Sequence, residues 1–406
     1  MTHLAALQVR DFKLYFAGQS VSYIGNKLQL AALAWHAYEL THDPLALGLI
    51  GFWRFLPLAI FTLWGGTVVD RARDQRWVMM ICQLVMGGMS VYLAYLTWRD
   101  ATTISHLYLI AGITAAATAF DIPAKQAILP ALVPRELLGS AIRLNALAST
   151  TAEILGPALF GALVHFSSMS LVYLLNGLSF IGVIIALLLM SIRPRGDQSR
   201  GSSWEMLRQG VGFVRQTPVL WGILALDFSA SFFASGVTLL PIVALELLGG
   251  GVGVYSTLTS SMAVGAVSAT LILTLMKSRL RPGQAIIYAV GGYGLATIGL
   301  GLSSSMIISI VCACLIGAGE ITSRVLRDTL RQLITPDPLR GRVGALNTLT
   351  SKSGPRLGEL EAGWLAHLTN TSVSLISGGA LCCLIAFGFA KFHRPLWEVE
   401  EDVSER

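Results

Sequence analysis

Charge is what this sequence has least of. Asp, Glu, Lys and Arg make up 13% of its 406 residues, against about 25% in an average soluble domain. With 54% hydrophobic residues, that scarcity excludes a large water-soluble core. No stretch between the apolar runs is long enough to fold as a soluble domain. The five cysteines, Cys82, Cys312, Cys314, Cys382 and Cys383, all lie inside apolar runs with no spaced His or Cys partner. That pattern excludes a zinc ribbon or a disulfide scaffold and leaves them as packing residues, with no metal expected. No GxxxxGK[ST] phosphate cradle is present, so the chain lacks a nucleotide-driven motor, and a gradient rather than a cofactor is expected to supply energy. The run Gly249–Gly253 follows no strand and reads as a flexible loop. A net charge of +6 is no nucleic-acid signal, because the basic residues sit in short connections between apolar runs. The N-terminus, MTHLAALQVRDFKLYF, has no short apolar core ahead of a small-residue cleavage site, so no removable signal peptide is expected.

What is present is a succession of apolar runs, each matching the roughly 20 residues that cross the hydrocarbon as a helix. They predict spans at about 14–40, 46–69, 77–98, 103–124, 141–165, 170–191, 219–246, 254–276, 284–303, 307–330, 344–368 and 372–391. An even number puts both termini on one side. Counting helix ends with loops, one set of connections holds almost all the Lys and Arg, Lys125, Arg324 and Arg327 among them, and the other holds only Arg99. The positive-inside rule then makes both termini cytoplasmic.

The longest connection spans 193–218 and opens RPRGDQSRGSS, a linker composition. Beyond it, Trp204, Leu207, Val211 and Val214 recur at helical spacing, with Arg208 and Arg215 on other faces, which predicts an interfacial helix. The predicted organisation is a first bundle at 1–192, this connection, a second bundle at 219–391 and a tail at 392–406. The two halves are related. PRELLGSAIRLNAL from Pro134 and PDPLRGRVGALNTL from Pro336 align without gaps at an offset of 202, which also pairs Gly156 with Gly358 and Gly161 with Gly363. Half the chain length is the offset a duplicated six-helix unit leaves.

These residues resemble the major facilitator superfamily. After the second span, Gly65-Gly66-Thr-Val-Val-Asp70-Arg71 resembles its loop motif. The run from Ala119 to Asn145, AFDIPAKQAILPALVPRELLGSAIRLN, resembles the group of drug and siderophore exporters that includes enterobactin exporters and macrolide efflux proteins. Ile154-Leu155-Gly156-Pro157-Ala-Leu-Phe-Gly161 resembles the antiporters' motif in helix 5. The sequence departs from the group at Asn26, where an acid is usual, at Glu153, where a base is usual, and at Arg73, which replaces the loop motif's second Gly. The resemblance implies an all-α membrane protein of twelve transmembrane helices in two pseudo-symmetric six-helix bundles. It also implies a bacterial cytoplasmic (inner) membrane location and a secondary transporter, not an enzyme, that rocks about a midplane site. Gly66, Asp70, Arg71 and Asp121 would form a cytoplasmic gate. Gly156, Pro157 and Gly161 would let helix 5 pack closely or bend.

The charges left inside the spans carry the functional expectation. Lys27, Arg54, Glu153, Glu320, Lys352, Arg356 and Glu359 fall within about five residues of mid-span, hence roughly 8 Å of the midplane at helical rise. Facing lipid, the seven would cost roughly 18–25 kcal/mol at about 2.5–3.5 kcal/mol each, more than a typical net stability of about 5–15 kcal/mol. They must therefore face one another or water. Static neutralising pairs are one reading. The other makes Glu153, Glu320, Glu359 and Asp227 proton-carrying candidates, with Lys27, Arg54, Trp53 and Arg356 holding an anionic substrate such as a carboxylate or catecholate. The expected activity is proton-coupled export of a small anionic or amphipathic molecule such as a siderophore, by a monomer. A multidrug or macrolide antiporter is the nearest alternative, and a lipid flippase or a non-transporting receptor a more distant one.

Overall fold

The structure is a computed structural model that describes residues 5–192, 203–275, 281–336 and 339–399. No strand occurs among them. The chain runs through α1 (Arg10–Thr41), α2 (Pro44–Arg71), α3 (Gln75–Trp98), α4 (Ile104–Ala131), α5 (Leu138–Phe166), α6 (Met169–Leu189), α7 (Ser203–Gln216) and α8 (Pro218–Phe233). It continues through α9 (Val252–Leu275), α10 (Pro282–Leu302), α11 (Met306–Ile334), α12 (Arg340–Leu368) and α13 (Thr371–Phe392). Short polar residues start several of these helices. Asp43 accepts from the Leu45 amide at 2.9 Å, Asp74 from Arg76 at 3.0 Å and Asn370 from Val373 at 2.8 Å. Near a bilayer such caps satisfy amides that lipid cannot. His42 and Asp100, each at φ 51°, turn the chain between helices.

Among the described residues, ten helices are long and apolar enough to cross a membrane. The predicted spans at 14–40 and 344–368 correspond to α1 and α12, which are 32 and 29 residues long but fall outside that set. Their polarity is the reason: α1 carries Asp11, Lys13, Lys27 and Glu39, and α12 carries Lys352, Arg356, Glu359 and Glu361. The predicted span at 219–246 is not one regular helix. α8 gives way to a 3-10 turn at Ser235–Leu239, a single α turn at Leu240–Ile242 and a π turn at Val243–Leu247.

Packing divides the chain into two units, residues 1–41 with 53–203 and residues 42–52 with 204–406. The change at 203–204 falls inside the predicted connection. The Gly/Ser-rich linker at 193–202 lies outside the described residues. In α7, Val214 is buried while Arg208 and Arg215 are exposed, as helical spacing predicts. The start of the predicted tail makes a short turn, Arg394–Trp397, with Leu396 buried; residues 400–406 lie outside the described residues.

In the first unit α1 packs on α5 and α6, and α3 on α4 and α6. Phe12, Tyr15, Met79, Ile128 and Leu187 share one core cluster there. In the second unit α8 packs on α12, α10 on α11 and α13, and α9 on α11. The 202-residue repeat holds in three dimensions: α4 and α11 begin at Ile104 and Met306, and α5 and α12 are both 29 residues long from Leu138 and Arg340. α6 and α13 follow at Met169 and Thr371.

Candidate functional site

In the first unit, α1 and α5 bring Lys27 and Glu153 together, with Nζ 2.9 Å from Oε1 and each side chain 37% exposed. The close approach comes from Gly156. A Cβ there would strike the Lys27 Cβ and sit 2.9 Å from the Leu28 amide nitrogen, so only glycine lets the helices meet at this level. One turn away, the Tyr23 hydroxyl donates to Asn145 Oδ1 at 3.1 Å. Lys125 stands over the Tyr23 ring, 5.3 Å from its centroid, and pairs with Asp121 on its own helix at 2.7 Å. Gln83 from α3 donates to the other Asp121 oxygen at 2.7 Å. The remaining helix 5 positions, Pro157 and Gly161, lie inside α5, with Gly161 buried.

The loop motif divides differently from the expectation built on Gly66. Space around Gly66 is open, whereas a Cβ on Gly65 would collide with the Ala119 carbonyl of α4; Gly65 is the close-approach residue. Asp70 is half-buried and Arg71 exposed at the end of α2. The described partners of Asp121 are Gln83 and Lys125. Arg76, counted among the loop charges, is buried and ties α3 to the end of α6 by donating to the Met190 carbonyl at 2.7 Å. Trp53 is 40% exposed, with its carbonyl beside Gly112 of α4, and Arg54 next to it is half-buried.

In the second unit the centre is an ion pair between Asp227 of α8 and Arg327 of α11, 2.7 Å long with both side chains 9% exposed. The Ser351 hydroxyl of α12 donates to the other Asp227 oxygen at 2.8 Å. Glu320 pairs with Arg324 within α11, both largely open. Glu359 of α12 is half-buried beneath the first turns of α2, where a Cβ on Gly51 would collide with its carboxylate. Arg356, one turn earlier on α12, is half-buried.

The structure thus joins Lys27 to Glu153 and gives Asp227 a cation that sequence reasoning had assigned to a loop. Lys125 and Arg327 lie inside α4 and α11; Lys125 falls just beyond the predicted span at 103–124, while Arg327 falls in the last residues of the one at 307–330. The signal was in the repeat, because the offset of 202 that aligns Asn145 with Asn347 also aligns Lys125 with Arg327. His36 is a satisfied buried group, bonded to the Tyr173 hydroxyl at 3.0 Å. All five cysteines are free. No cluster of three metal-ligating side chains occurs among the described residues.

The chain resembles several transporters in sequence and in fold. The macrolide efflux protein A of Streptococcus pyogenes is 24% identical over 343 residues, covering 82% of this chain and 84% of that protein. The enterobactin exporter EntS of Citrobacter koseri is 24% identical over 397 residues, covering 95% and 94%. The staphyloferrin A transporter of Staphylococcus aureus is 21% identical, covering 82% and 83%. Among solved structures, a POT family transporter in complex with 5-aminolevulinic acid superimposes with a TM-score of 0.74 at 14% identity, covering 95% of this chain and 96% of that one. The nucleoside transporter NupG does so at 0.71 and 13%, covering 98% and 100%. The model of the transmembrane secretion effector family matches residues 1–406. The chain is therefore a multi-pass membrane transporter of the major facilitator superfamily, belonging to its transmembrane secretion effector family.

Proposed function

We propose that this transporter exports a small anionic or amphipathic molecule, of the siderophore type, in exchange for protons. The observation that carries the reading is the Lys27–Glu153 pair. It joins two helices in mid-helix, yet both side chains are 37% exposed, so its charges are open to a competing ion. An anion entering there exchanges one carboxylate partner of Lys27 for another, and the released Glu153 can take a proton. Arg54 and Trp53 in the first unit, and Arg356 in the second, are further candidates for substrate contact in this scheme. Glu320, Glu359 and Asp227 are further proton carriers in this scheme.

The relatives' substrates support export as the direction. In the proposal the protein works as a monomer in a bacterial inner membrane with both termini cytoplasmic, uses no cofactor beyond the proton gradient and performs no covalent chemistry. One second reading, efflux of a cationic drug, is favoured by the half-open acid Glu320 and is in keeping with the macrolide efflux relative. Purified protein in liposomes loaded with a pH-sensitive dye separates these readings. Siderophore-stimulated proton flux supports the first, flux stimulated only by macrolides supports the second, and the absence of flux with either removes proton exchange.

A further inference from the structure

The two halves solve one problem differently. Lys125 and Arg327 occupy the same repeat position on α4 and α11. Four residues earlier, the first half has Asp121 and the second has Ser323. Lys125 therefore finds its carboxylate one turn back on its own helix, at 2.7 Å, while Arg327 takes its carboxylate from α8. That pairing uses Nη2 on Asp227 and leaves Nη1 buried with no acceptor among the described residues. Ser323, standing where Asp121 stands in the first half, is 2% exposed, and its hydroxyl also lacks a partner. α9 runs antiparallel along α11, with Gly265 against Cys314 and Gly317 against Met262.

A guanidinium has five donors in a fixed fork suited to two carboxylates, and a buried donor without an acceptor costs free energy until one arrives. Here Ser323 stands at the repeat position that holds the Asp121 carboxylate in the first unit. We infer that Arg327, with Ser323, forms an anion subsite in the second unit that takes a carboxylate oxygen of the substrate in the place that Asp121 fills in the first unit. This rests on the anionic-substrate reading above and assigns that reading a residue it lacked. Ser351 and Asp227 act as positioning residues that hold the fork from its other side.

The test is equilibrium binding to the purified full-length protein in detergent, with 2,3-dihydroxybenzoate as the anionic probe and its methyl ester as the uncharged control of nearly the same shape. Wild type is expected to prefer the acid. Ser323→Asp supplies the missing carboxylate in place of the ligand and is expected to weaken acid binding roughly tenfold or more, the scale of one charge-assisted hydrogen bond. Ester binding stays within about twofold, and Ser323→Ala keeps most of the acid affinity. If Ser323→Asp does not fold, the double variant Asp227→Asn with Arg327→Gln removes both charges of the pair, and the acid-over-ester preference should vanish. A wild type that prefers the acid, with variants that keep that preference, overturns the Arg327 subsite and leaves the anionic reading standing. A wild type that binds acid and ester alike overturns the anionic reading, and this inference with it.

Discussion

Replacing Lys27 and Glu153 by Gln, singly and together, separates a structural ion pair from a working one. Two unit charges 2.9 Å apart attract by only about 1.4 kcal/mol at the dielectric of water. With both side chains more than a third exposed, screening and side-chain entropy reduce such a pair to about 0.2–1 kcal/mol. A dry pair would instead cost about 3–5 kcal/mol when one partner is removed. The double-mutant cycle on thermal unfolding of the purified protein should therefore give a coupling below about 1 kcal/mol, and all three variants should express and fold. Transport should change much more than stability. Glu153→Gln should abolish substrate-stimulated proton flux in liposomes while retaining exchange of labelled for unlabelled substrate, which needs no net proton movement. Lys27→Gln should raise the substrate concentration for half-maximal flux. A coupling above about 3 kcal/mol would show the pair to be a dry structural tie, and full proton flux in Glu153→Gln would remove it from the coupling machinery.

Three further outcomes follow from the packing. Gly156→Ala places a methyl group against Lys27 and Leu28, and Gly358→Ala places one against the Phe232 carbonyl and Ser235. Each should lose about 1–3 kcal/mol by overpacking, read as a lower unfolding midpoint, while Gly182→Ala, with nothing within 4 Å, should not lose stability. Arg327→Gln strands the buried Asp227 carboxylate and should cost about 3–5 kcal/mol; adding Asp227→Asn should restore most of the expression level. In a cysteine-free background, cysteines at Leu84 of α3 and Leu384 of α13 should resist a membrane-impermeant maleimide, although both positions are exposed in the protein alone, because lipid covers them. A cysteine at Arg324, an exposed charge that lipid would exclude, should react.

Much of the architecture was legible because it rests on averages and spacings. Apolar runs mark the helices, and a gapless match of Pro, Gly and Asn at an offset of 202 marks the repeat, which the helix starts at Ile104 and Met306 reproduce. Pair partners were less legible, since hydropathy records how polar a segment is and not which way a side chain turns. Lys125, Arg327 and Arg76 were grouped with loop charges because they sit near span ends, yet each turns inward to an acid or a carbonyl. The loop motif's glycine pair gave no means of choosing Gly65 over Gly66; only the position of the Ala119 carbonyl decides it. The irregular turns at 235–247 are marked in the sequence by Gly236 and Pro241, residues that a continuous transmembrane helix also tolerates. The α1 and α12 helices show the reverse error, for the polar residues that lower their hydropathy are the same ones that serve the candidate site.

The placement of the half-buried Lys125 and the buried Arg327 has a mechanical consequence. Lys125 and its carboxylate ride on a single helix, so no displacement of α4 against its neighbours stretches that bond. Arg327 and Asp227 ride on different helices, and α8 passes directly into 3-10 and π turns, the irregularities at which helices commonly flex. Any sliding of α8 along α11 must break a charge pair and make it again. Of the interhelical charge pairs, Lys27–Glu153 is more than a third exposed and Asp227–Arg327 is sealed, so parting α8 from α11 is the costlier movement.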